Sequence, residues 1–342
     1  MASEAIPRER LMKPSSETIP VVVIGAGEHG KRHARLLRRM GGAELTGVYD
    51  QRPERSQEVA TELGVRSFSS LEEALDHGRA ASIVIPTSGH AAVASRALER
   101  GLDVLVEKPI AGTVEQADHL IRQGASLGRI LQVGHVERFN PGVLAARAVT
   151  RNPLFLEVHR LGVFSPRSLD VDVVFDLMIH DLDLALWLVR APVTEVRAVG
   201  LAVLSDKVDI ANARVEFENG AVANFTASRV STEKIRKFRY FQPHEYISID
   251  FSRRDALLLT VDRNSPTPRI NFRKLDAPAK DPLEAELESF VECVRTRQPP
   301  LVGGLQGREA LALAVRVMSC IQEHAARVHL SEAGVEGHRD DH

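Results

Sequence analysis

The sequence predicts an α/β protein, with a doubly wound parallel sheet followed by an α+β domain whose sheet is largely antiparallel. Four β-favouring residues at positions 21–24 run directly into a glycine-rich turn, which is a typical start for a doubly wound sheet. Strand and helix patterns alternate from there to about residue 134, as expected for parallel strands joined by crossover helices. Further along, strand patterns follow one another with few helices between them, which favours antiparallel pairing.

Length and composition limit the class of protein. At 342 residues the chain is longer than one ordinary domain of about 150 residues, so we expect two domains, at 20–138 and 139–330. The polar ends, 1–19 and 331–342, are expected to be a flexible extension and a flexible tail. A formal net charge of -2 gives no reason to expect a nucleic acid or an acidic membrane as partner.

The glycine-rich turn is the strongest functional signal. Its glycines, in the spacing G-x-G-x-x-G, are Gly25, Gly27 and Gly30. In this motif the first glycine makes a tight turn, the second admits a pyrophosphate and the third lets the next helix pack closely, with its N-terminal amides facing the anion. A second predicted strand ends at Asp50, near the distance of about 20 residues expected for a ribose-binding acid. These features predict a dinucleotide site that prefers NAD, because Asp50 would repel a 2′-phosphate, although Arg52 could weaken the preference.

The other elements of the first domain follow from hydrophobic periodicity and capping signals. Helices are predicted at residues 31–39, 53–63, 71–77, 90–100 and 113–124. Strands are predicted at 45–49, 82–85, 103–106 and 130–134. Thr113 and Gln116 have the spacing of a capping box.

In the second domain, Asn140 followed by Pro141 indicates a helix start. Strands are predicted at 154–158, 196–204, 212–217, 221–228 and 246–251. A helix is predicted at 173–188, and two amphipathic helices around 283–294 and 310–321. The triplet Glu-Asn-Gly at 218–220 is a hairpin turn signal.

Two groups of polar residues have positions suited to catalysis. The E-K-P triplet at 107–109 follows a predicted strand, so Lys108 projects from the carboxyl end of that strand, where open α/β sheets bind their ligands. The predicted helix at 173–188 carries Asp176 and His180 four residues apart, hence on one face. Asp183, one turn further, is expected to be structural.

With these motifs, the sequence resembles the glucose-fructose oxidoreductase and inositol dehydrogenase family (Gfo/Idh/MocA) over about residues 21–321. The matching motifs are G-A-G-E-H-G at 25–30, P-T-S-G-H at 86–90, E-K-P at 107–109 and D-L-M-I-H-D-L-D at 176–183. The resemblance implies a Rossmann domain followed by a domain with an open-faced sheet, and reversible oxidation of a sugar or cyclitol hydroxyl by NAD or NADP. Met178 stands where many members have glycine, a departure that could narrow the substrate pocket.

Residues and resemblance together assign the site. The catalytic positions are Lys108, Asp176 and His180. The cofactor-binding positions are Gly25, Gly27, Glu28, His29, Gly30, Asp50, Arg52, Pro86, Thr87, His90, Glu107 and Lys108. Neutral His180, with a reference pKa of about 6.5, is suited to accept the hydroxyl proton, and Asp176 can orient its ring. Lys108 can donate to the substrate oxygen, and the choice between Lys108 and His180 as immediate proton acceptor is open at this point.

Two segments, 133–141 and 233–250, are similar to a narrower subgroup, the UDP-N-acetylglucosamine 3-dehydrogenases. This similarity implies oxidation at C3 to a 3-keto nucleotide sugar, which an aminotransferase converts to a 3-amino sugar for lipid A. A diphosphate needs cationic donors. The candidates for substrate binding are Lys108, His135, Arg138, Arg160, Arg167, His180, Arg229 and Arg236. We expect self-association through the open sheet face, as a homotetramer or else a dimer.

Two alternatives compete with this reading. An inositol or free-sugar dehydrogenase shares the three catalytic positions but needs no diphosphate contacts. A catalytically silent NAD-binding regulator belongs to another class, and the intact Lys108, Asp176 and His180 argue against it.

The cysteines and the hydropathy of the chain indicate whether to expect a metal site and where in the cell the protein lies. Cys293 and Cys320 lie in predicted helices without metal-ligand spacing, so no metal site is predicted and a reducing compartment is favoured. The chain has no apolar run of about 18 residues and no signal-peptide core, so we expect a cytoplasmic protein with no membrane partner.

Overall fold

The structure is a computed structural model that describes residues 17–164, 171–262, 269–277 and 279–328. Its first sheet consists of β1 (Ile19–Ile24), β2 (Ala43–Tyr49), β3 (Arg66–Ser67), β4 (Ala80–Ile83), β5 (Asp103–Glu107) and β6 (Leu131–Gly134). All neighbours in this sheet are parallel, in the order β3-β2-β1-β4-β5-β6. The strand order reverses between β1 and β4, and such a reversal opens a crevice at the carboxyl ends of the strands.

Five helices join these strands. They are α1 (Glu28–Arg39), α2 (Pro53–Leu63), α3 (Leu71–Asp76), α4 (Thr87–Glu99) and α5 (Val114–Ser126). The predicted doubly wound fold is confirmed, and the helix predicted at 53–63 has the same bounds in the structure. The capping box before α5 is displaced by one residue: Thr113 accepts from the Gln116 amide as predicted, but the Gln116 side chain accepts from the Gly112 amide.

The second sheet has eight strands. They are β7 (Phe155–Leu161), β8 (Val193–Leu201), β9 (Ile210–Phe217), β10 (Val222–Ser228), β11 (Ile235–Gln242), β12 (Glu245–Asp250), β13 (Asp255–Asp262) and β14 (Arg269–Leu275). Their order is β14-β13-β12-β11-β7-β10-β9-β8, and every pair except β7 with β10 is antiparallel. The largely antiparallel sheet is therefore confirmed. Sequence patterns missed β11, β13 and β14. In β14 all residues but the last are exposed, so that strand has no half-buried alternation to detect.

Helices cover one face of the second sheet. Asn140 caps α6 (Pro141–Val149), and its side chain accepts from the Gly142 amide at 3.1 Å, as predicted. The helix predicted at 173–188 is divided: a π-helical turn, Val174–Met178, precedes α7 (Ile179–Val189). The wider turn changes the placement of Asp176, which the prediction of a regular helix could not anticipate.

The last two helices connect both sheets. Helix α8 (Pro282–Thr296) packs on the first sheet, because Leu287 and Phe290 share a buried cluster with Val21 and Val23. The division of the sequence at residue 138 had placed this helix in the second domain. Helix α9 (Gly304–Arg327) contributes to the cores of both sheets. Over the ranges described, no helix is long and apolar enough to cross a membrane.

Candidate active site

The turn between β1 and α1 is built for close approach. Gly25 has φ of 103°, and a Cβ there would lie 2.1 Å from the Val84 carbonyl oxygen. A Cβ at Gly30 would lie 1.9 Å from the Gly25 carbonyl oxygen. A Cβ at Gly27, by contrast, would meet nothing within 4 Å. The turn therefore needs glycine at both ends, whereas the space beside Gly27 is open, as an approaching pyrophosphate requires.

A cleft of about 690 Å³ lies over this turn at the carboxyl ends of β1, β2 and β4. Eight of the predicted cofactor residues line it: Gly25, Gly27, Glu28, His29, Gly30, Asp50, Arg52 and Pro86. Asp50 is held in place, because its Oδ2 accepts from the Ala26 amide at 2.7 Å and its Oδ1 from the Arg52 amide at 2.9 Å. The donors and the open space fit a dinucleotide.

The other predicted cofactor residues lie apart from the lining. His90 is buried, and its two ring nitrogens contact the carbonyl oxygens of Pro109, at 2.7 Å, and Ile85, at 2.8 Å. It thus joins the turn after β5 to the end of β4 as an internal bridge. Thr87 is the first residue of α4. Glu107 faces His29 and His33, and the three side chains could together hold a metal ion.

Lys108 and Asp176 meet across the two domains. Lys108 Nζ donates to the main-chain oxygen of Asp176 at 2.8 Å and lies 3.5 Å from its Oδ1. Asp176 reaches this position from the π-helical turn, in which the Ile179 amide bonds to the Val174 oxygen five residues earlier. Such turns are rare and are frequent at functional sites. The structure thus brings two of the three predicted catalytic positions together.

His180 lies beside this pair, without the predicted contact to Asp176. No hydrogen bond joins the two side chains in the described part of the chain, because Asp176 is turned toward Lys108. The His180 Nδ1 atom is buried and has no partner among the described residues. Burial, together with the charges of Lys108 and Arg160, lowers the pKa of His180 well below its ordinary value. The ring is therefore neutral at neutral pH, the state that a proton acceptor needs.

His135 follows β6 and packs edge-on against His180, with ring centroids 6.1 Å apart. It is 1% exposed, and neither ring nitrogen has a hydrogen-bond partner among the described residues. Burial lowers its pKa, and the Arg138 charge acts in the same direction. His135 is thus a neutral neighbour of the proposed proton acceptor.

Three candidate arginines are occupied by internal ion pairs. Arg138 donates to both carboxylate oxygens of Asp183, at 2.7 and 2.6 Å. Arg160 donates to Asp181, at 2.8 and 2.7 Å, and to Glu137 at 3.1 Å. The third, Arg229, donates to Asp209 at 2.8 Å. All three are buried, so the geometry does not support the prediction that they contact a substrate phosphate.

Arg236 differs from these three. It is half-buried on β11, directly opposite Arg160 of β7. No ion pair or hydrogen bond involves its guanidinium within the described ranges. Burial lowers its pKa and Arg160 adds to the effect, while Glu137, Asp181 and Asp176 oppose it. Arg236 is thus a cation near the catalytic pair that lacks a counter-ion in the described structure. Arg167, the remaining candidate, lies outside the described residues.

Sequence reasoning missed the acidic partners of the arginines. Glu137 and Asp181 lie within the quoted motifs, next to Arg138 and His180. Their neighbours in sequence gave no indication that both would reach Arg160, because that contact joins three separate elements.

The fold and the site together define an NAD-binding oxidoreductase. A profile described as an oxidoreductase family with an NAD-binding Rossmann fold matches residues 19–135, and a GFO/IDH/MocA C-terminal domain profile matches residues 114–241. The chain belongs to the Gfo/Idh/MocA family.

Known relatives agree with this assignment. The chain is 40% identical over 310 residues to UDP-N-acetylglucosamine 3-dehydrogenase from Acidithiobacillus ferrooxidans, covering 89% of this chain and 98% of the relative. A solved structure of that enzyme superposes with a TM-score of 0.84 at 39% identity, over 90% of this chain and 98% of the other. Myo-inositol 2-dehydrogenase from Thermotoga maritima is 25% identical, over 88% of this chain and 96% of the relative.

Proposed function

We propose that the protein is an NAD-dependent dehydrogenase that oxidises the C3 hydroxyl of UDP-N-acetylglucosamine to the 3-keto nucleotide sugar. The observation that carries the proposal is the similarity to the Acidithiobacillus ferrooxidans enzyme of that activity. The chain is 40% identical to that enzyme and covers 98% of the enzyme's length. The myo-inositol and scyllo-inositol relatives are 25% and 29% identical, which favours the nucleotide sugar over the inositol alternative. The joined Lys108 and Asp176, beside a neutral His180, argue against a silent regulator.

The proposed reaction removes a proton from the hydroxyl group and a hydride from the carbon that bears it, and each has its own acceptor. NAD would be held in the cleft over the glycine turn and would supply the acceptor for the hydride. Neutral His180 takes the hydroxyl proton on Nε2, since Nδ1 is buried and Nε2 is not among the buried unpaired atoms. Lys108 donates from Nζ to the same oxygen and stabilises its developing negative charge, while Asp176 holds the ammonium in position.

Arg236 is the proposed contact for the diphosphate. A guanidinium can bind two phosphate oxygens at once, and a charged hydrogen bond of about 1.5–3 kcal/mol corresponds to roughly 10- to 100-fold in affinity. Arg236→Ala should therefore raise the KM for UDP-N-acetylglucosamine about tenfold or more, with little change in the KM for NAD. Arg239→Ala is the matched control, because Arg239 lies on the same strand and pairs with Glu157. If the two variants have equal KM values for UDP-N-acetylglucosamine, Arg236 does not contact the diphosphate.

The deciding experiment is NADH formation across UDP-sugars, free N-acetylglucosamine and inositols. The assay should contain a keto-trapping aminotransferase, because oxidation to the 3-keto sugar can be unfavourable at equilibrium. We expect the fastest reaction with UDP-N-acetylglucosamine and a far slower one with the free sugar, since remote binding groups position the ring. Oxidation of myo-inositol or a free hexose, without reaction of UDP-N-acetylglucosamine, would overturn the proposal.

We also propose a setting for the activity. A reactive keto product needs a consuming step, so we infer coupling to an aminotransferase that forms a 3-amino sugar for lipid A, in the cytoplasm. Both cysteines are free thiols, which suits a reducing compartment. A homotetramer is the preferred assembly and a dimer the second choice. Support comes from apolar side chains left exposed on the second sheet, such as Ile270, 57% exposed, and Phe272, 65% exposed.

A further inference from the structure

A cluster of nitrogen and oxygen donors lies under the glycine turn. His29 and His33 are four residues apart on α1, hence on one face, and Glu107 ends β5. Glu107 Oε1 lies 3.1 Å from His29 Nε2 and 3.3 Å from His33 Nε2. The three donor atoms all lie within 4.8 Å of one another. Two elements that are distant in sequence thus direct three potential ligands toward one point.

The Nε2 atom of His33 has no hydrogen-bond partner among the described residues. The side chain is fully buried, and its Nδ1 is held by Ser82 Oγ at 2.9 Å. Its Nε2 is also buried and makes no hydrogen bond among the described residues, although Glu107 Oε1 lies 3.3 Å away. A metal-bound histidine usually has its other ring nitrogen held by a hydrogen-bond partner, and Ser82 Oγ can serve as that partner for His33.

Charge also favours a cation at this point. A neutral imidazole with its proton on Nδ1, where Ser82 Oγ lies 2.9 Å away, offers a lone pair on Nε2. Glu107 adds a carboxylate oxygen that lies within 3.3 Å of the Nε2 atoms of both histidines. The cluster therefore offers one carboxylate and two imidazoles.

We propose that His29, His33 and Glu107 bind a divalent transition-metal ion of the zinc class. Two histidines and one glutamate are a known set of three protein ligands for Zn²⁺ with a fourth position open. Bonds of about 2.0–2.1 Å in a tetrahedron place ligand atoms about 3.3 Å apart, close to two of the observed separations. The third separation can close by rotation of His29, whose side chain is 46% exposed.

The position of the site indicates what the ion would do. His29 lines the cofactor cleft, so the proposed ion would lie beside that cleft. Glu107 precedes Lys108 in the chain. A bound ion would therefore fasten the first turn of α1, and with it the glycine turn, to the strand that positions Lys108. The inference does not depend on which sugar is oxidised.

The experiment measures Zn²⁺ binding to the tag-free, full-length protein after treatment with a chelator. Zn²⁺ is titrated in competition with a chromophoric chelator, and the wild type is expected to bind one ion per chain. Loss of the Ser82 contact to His33 in Ser82→Ala should weaken binding by about 10- to 100-fold, and loss of a ligand in His29→Gln should weaken it at least as much. His119→Gln, in which an exposed histidine on α5 is changed, is the control and should match the wild type.

Circular dichroism will establish that each variant is folded, and His29→Gln changes only a side chain at the surface of the cleft. Binding of less than one Zn²⁺ per chain at micromolar free Zn²⁺ would overturn the proposal. Unchanged binding by folded His29→Gln would overturn it as well, since the ion would then lie elsewhere.

Discussion

Lys108, Asp176 and His180 lie together although they come from different domains, and the structure changes how they are connected. The sequence pointed to a histidine held by an aspartate. The structure instead joins the aspartate to the lysine, through the contact of Lys108 Nζ with Asp176. The proposed division of roles follows: Lys108 is the positioned cation, and His180 is the neutral proton acceptor.

Replacing either group should stop turnover while leaving the cofactor bound. Loss of one acid or base group typically costs on the order of 100-fold or more, so Lys108→Ala and His180→Asn should each lower kcat by at least that factor. NAD affinity, measured by calorimetry, should stay near the wild-type value because the glycine turn and Asp50 provide most of the cofactor contacts. Lys234→Ala and His159→Asn are matched controls outside the site. Near-native rates in both catalytic variants would refute the assignment.

The lowered pKa of His180 predicts a particular pH dependence. A proton acceptor works only when neutral, so lowering the pH inactivates it only below its own pKa, which burial holds well under the ordinary value of 6.5. We expect kcat/KM for sugar oxidation to stay level as the pH falls through 6.5 and to decrease only in more acidic buffer. A pH profile with its acid limb centred above 6.5 would contradict His180 as the acceptor.

Asp50 should make NAD the preferred cofactor. Its carboxylate is fixed at the cleft by the Ala26 and Arg52 amides and would repel a 2′-phosphate. We expect kcat/KM to be at least about tenfold higher with NAD than with NADP, and Asp50→Asn to narrow the gap. Steady-state kinetics with both cofactors provide the measurement. A wild-type preference for NADP would show that the neighbouring Arg52 dominates.

Among the secondary-structure elements, the π-helical turn and helix α8 differ most from what the sequence predicts. The turn at Val174–Met178 places Asp176 against Lys108. Helix α8 buries Glu286 completely, with neither carboxylate oxygen hydrogen-bonded among the described residues. Burial raises the pKa of Glu286 well above its ordinary value, and the nearby Glu107 charge adds to this. The folded protein therefore keeps the Glu286 carboxyl group protonated to a higher pH than the unfolded chain does.

This buried acid should make stability fall as the pH rises. The unfolded chain ionises Glu286 above about pH 4.3, whereas the folded chain keeps the proton until a higher pH. Stability is therefore fullest below about pH 4.3 and decreases toward the raised folded pKa, by at most about 1.4 kcal/mol per pH unit. Glu286→Gln should raise the melting temperature at pH 8 more than at pH 5. Glu288→Gln, on an exposed part of α8 paired with Lys280, should show no such difference. Equal shifts at both pH values for Glu286→Gln would contradict a protonated carboxyl.

For the whole molecule, the two sheets are joined by the C-terminal helices and one sheet face is left open. On that face Phe155, Phe241 and Tyr246 form a row across β7, β11 and β12, with ring centroids 5.8 and 4.9 Å apart. Farther along the sheet, β14 exposes Ile270 and Phe272. Exposed apolar side chains in such numbers are typical of an interface between subunits.

Light scattering at micromolar concentration should show a tetramer, or failing that a dimer. Phe241→Asp and Phe272→Asp should lower the assembled fraction, because a charge would be buried in the interface. Leu305→Asp is the control, since Leu305 is 60% exposed at the start of α9 and lies away from the sheet. A monomeric wild type would refute self-association.

How well a feature could be predicted from the sequence depended on how far apart in the chain its interacting residues lie. Patterns such as the helix at 53–63, the Asn140 cap and the glycine turn depend on residues close in sequence, and these predictions are confirmed. The roles of the site residues stay predictions. Strands β11, β13 and β14 were missed because pairing with neighbours, more than their own alternation, makes them strands.

Sequence alone was enough to establish the doubly wound sheet, the glycine turn and the following, largely antiparallel sheet, because periodicity and turn chemistry are local properties. Only the folded chain decided which charges meet: Lys108 with Asp176, Arg160 with Asp181, and Arg236 with no partner in the described residues. The same holds for α8, which returns to pack on the first sheet. Such contacts join elements far apart in the chain, where the sequence contains the donors and acceptors but not the distances between them.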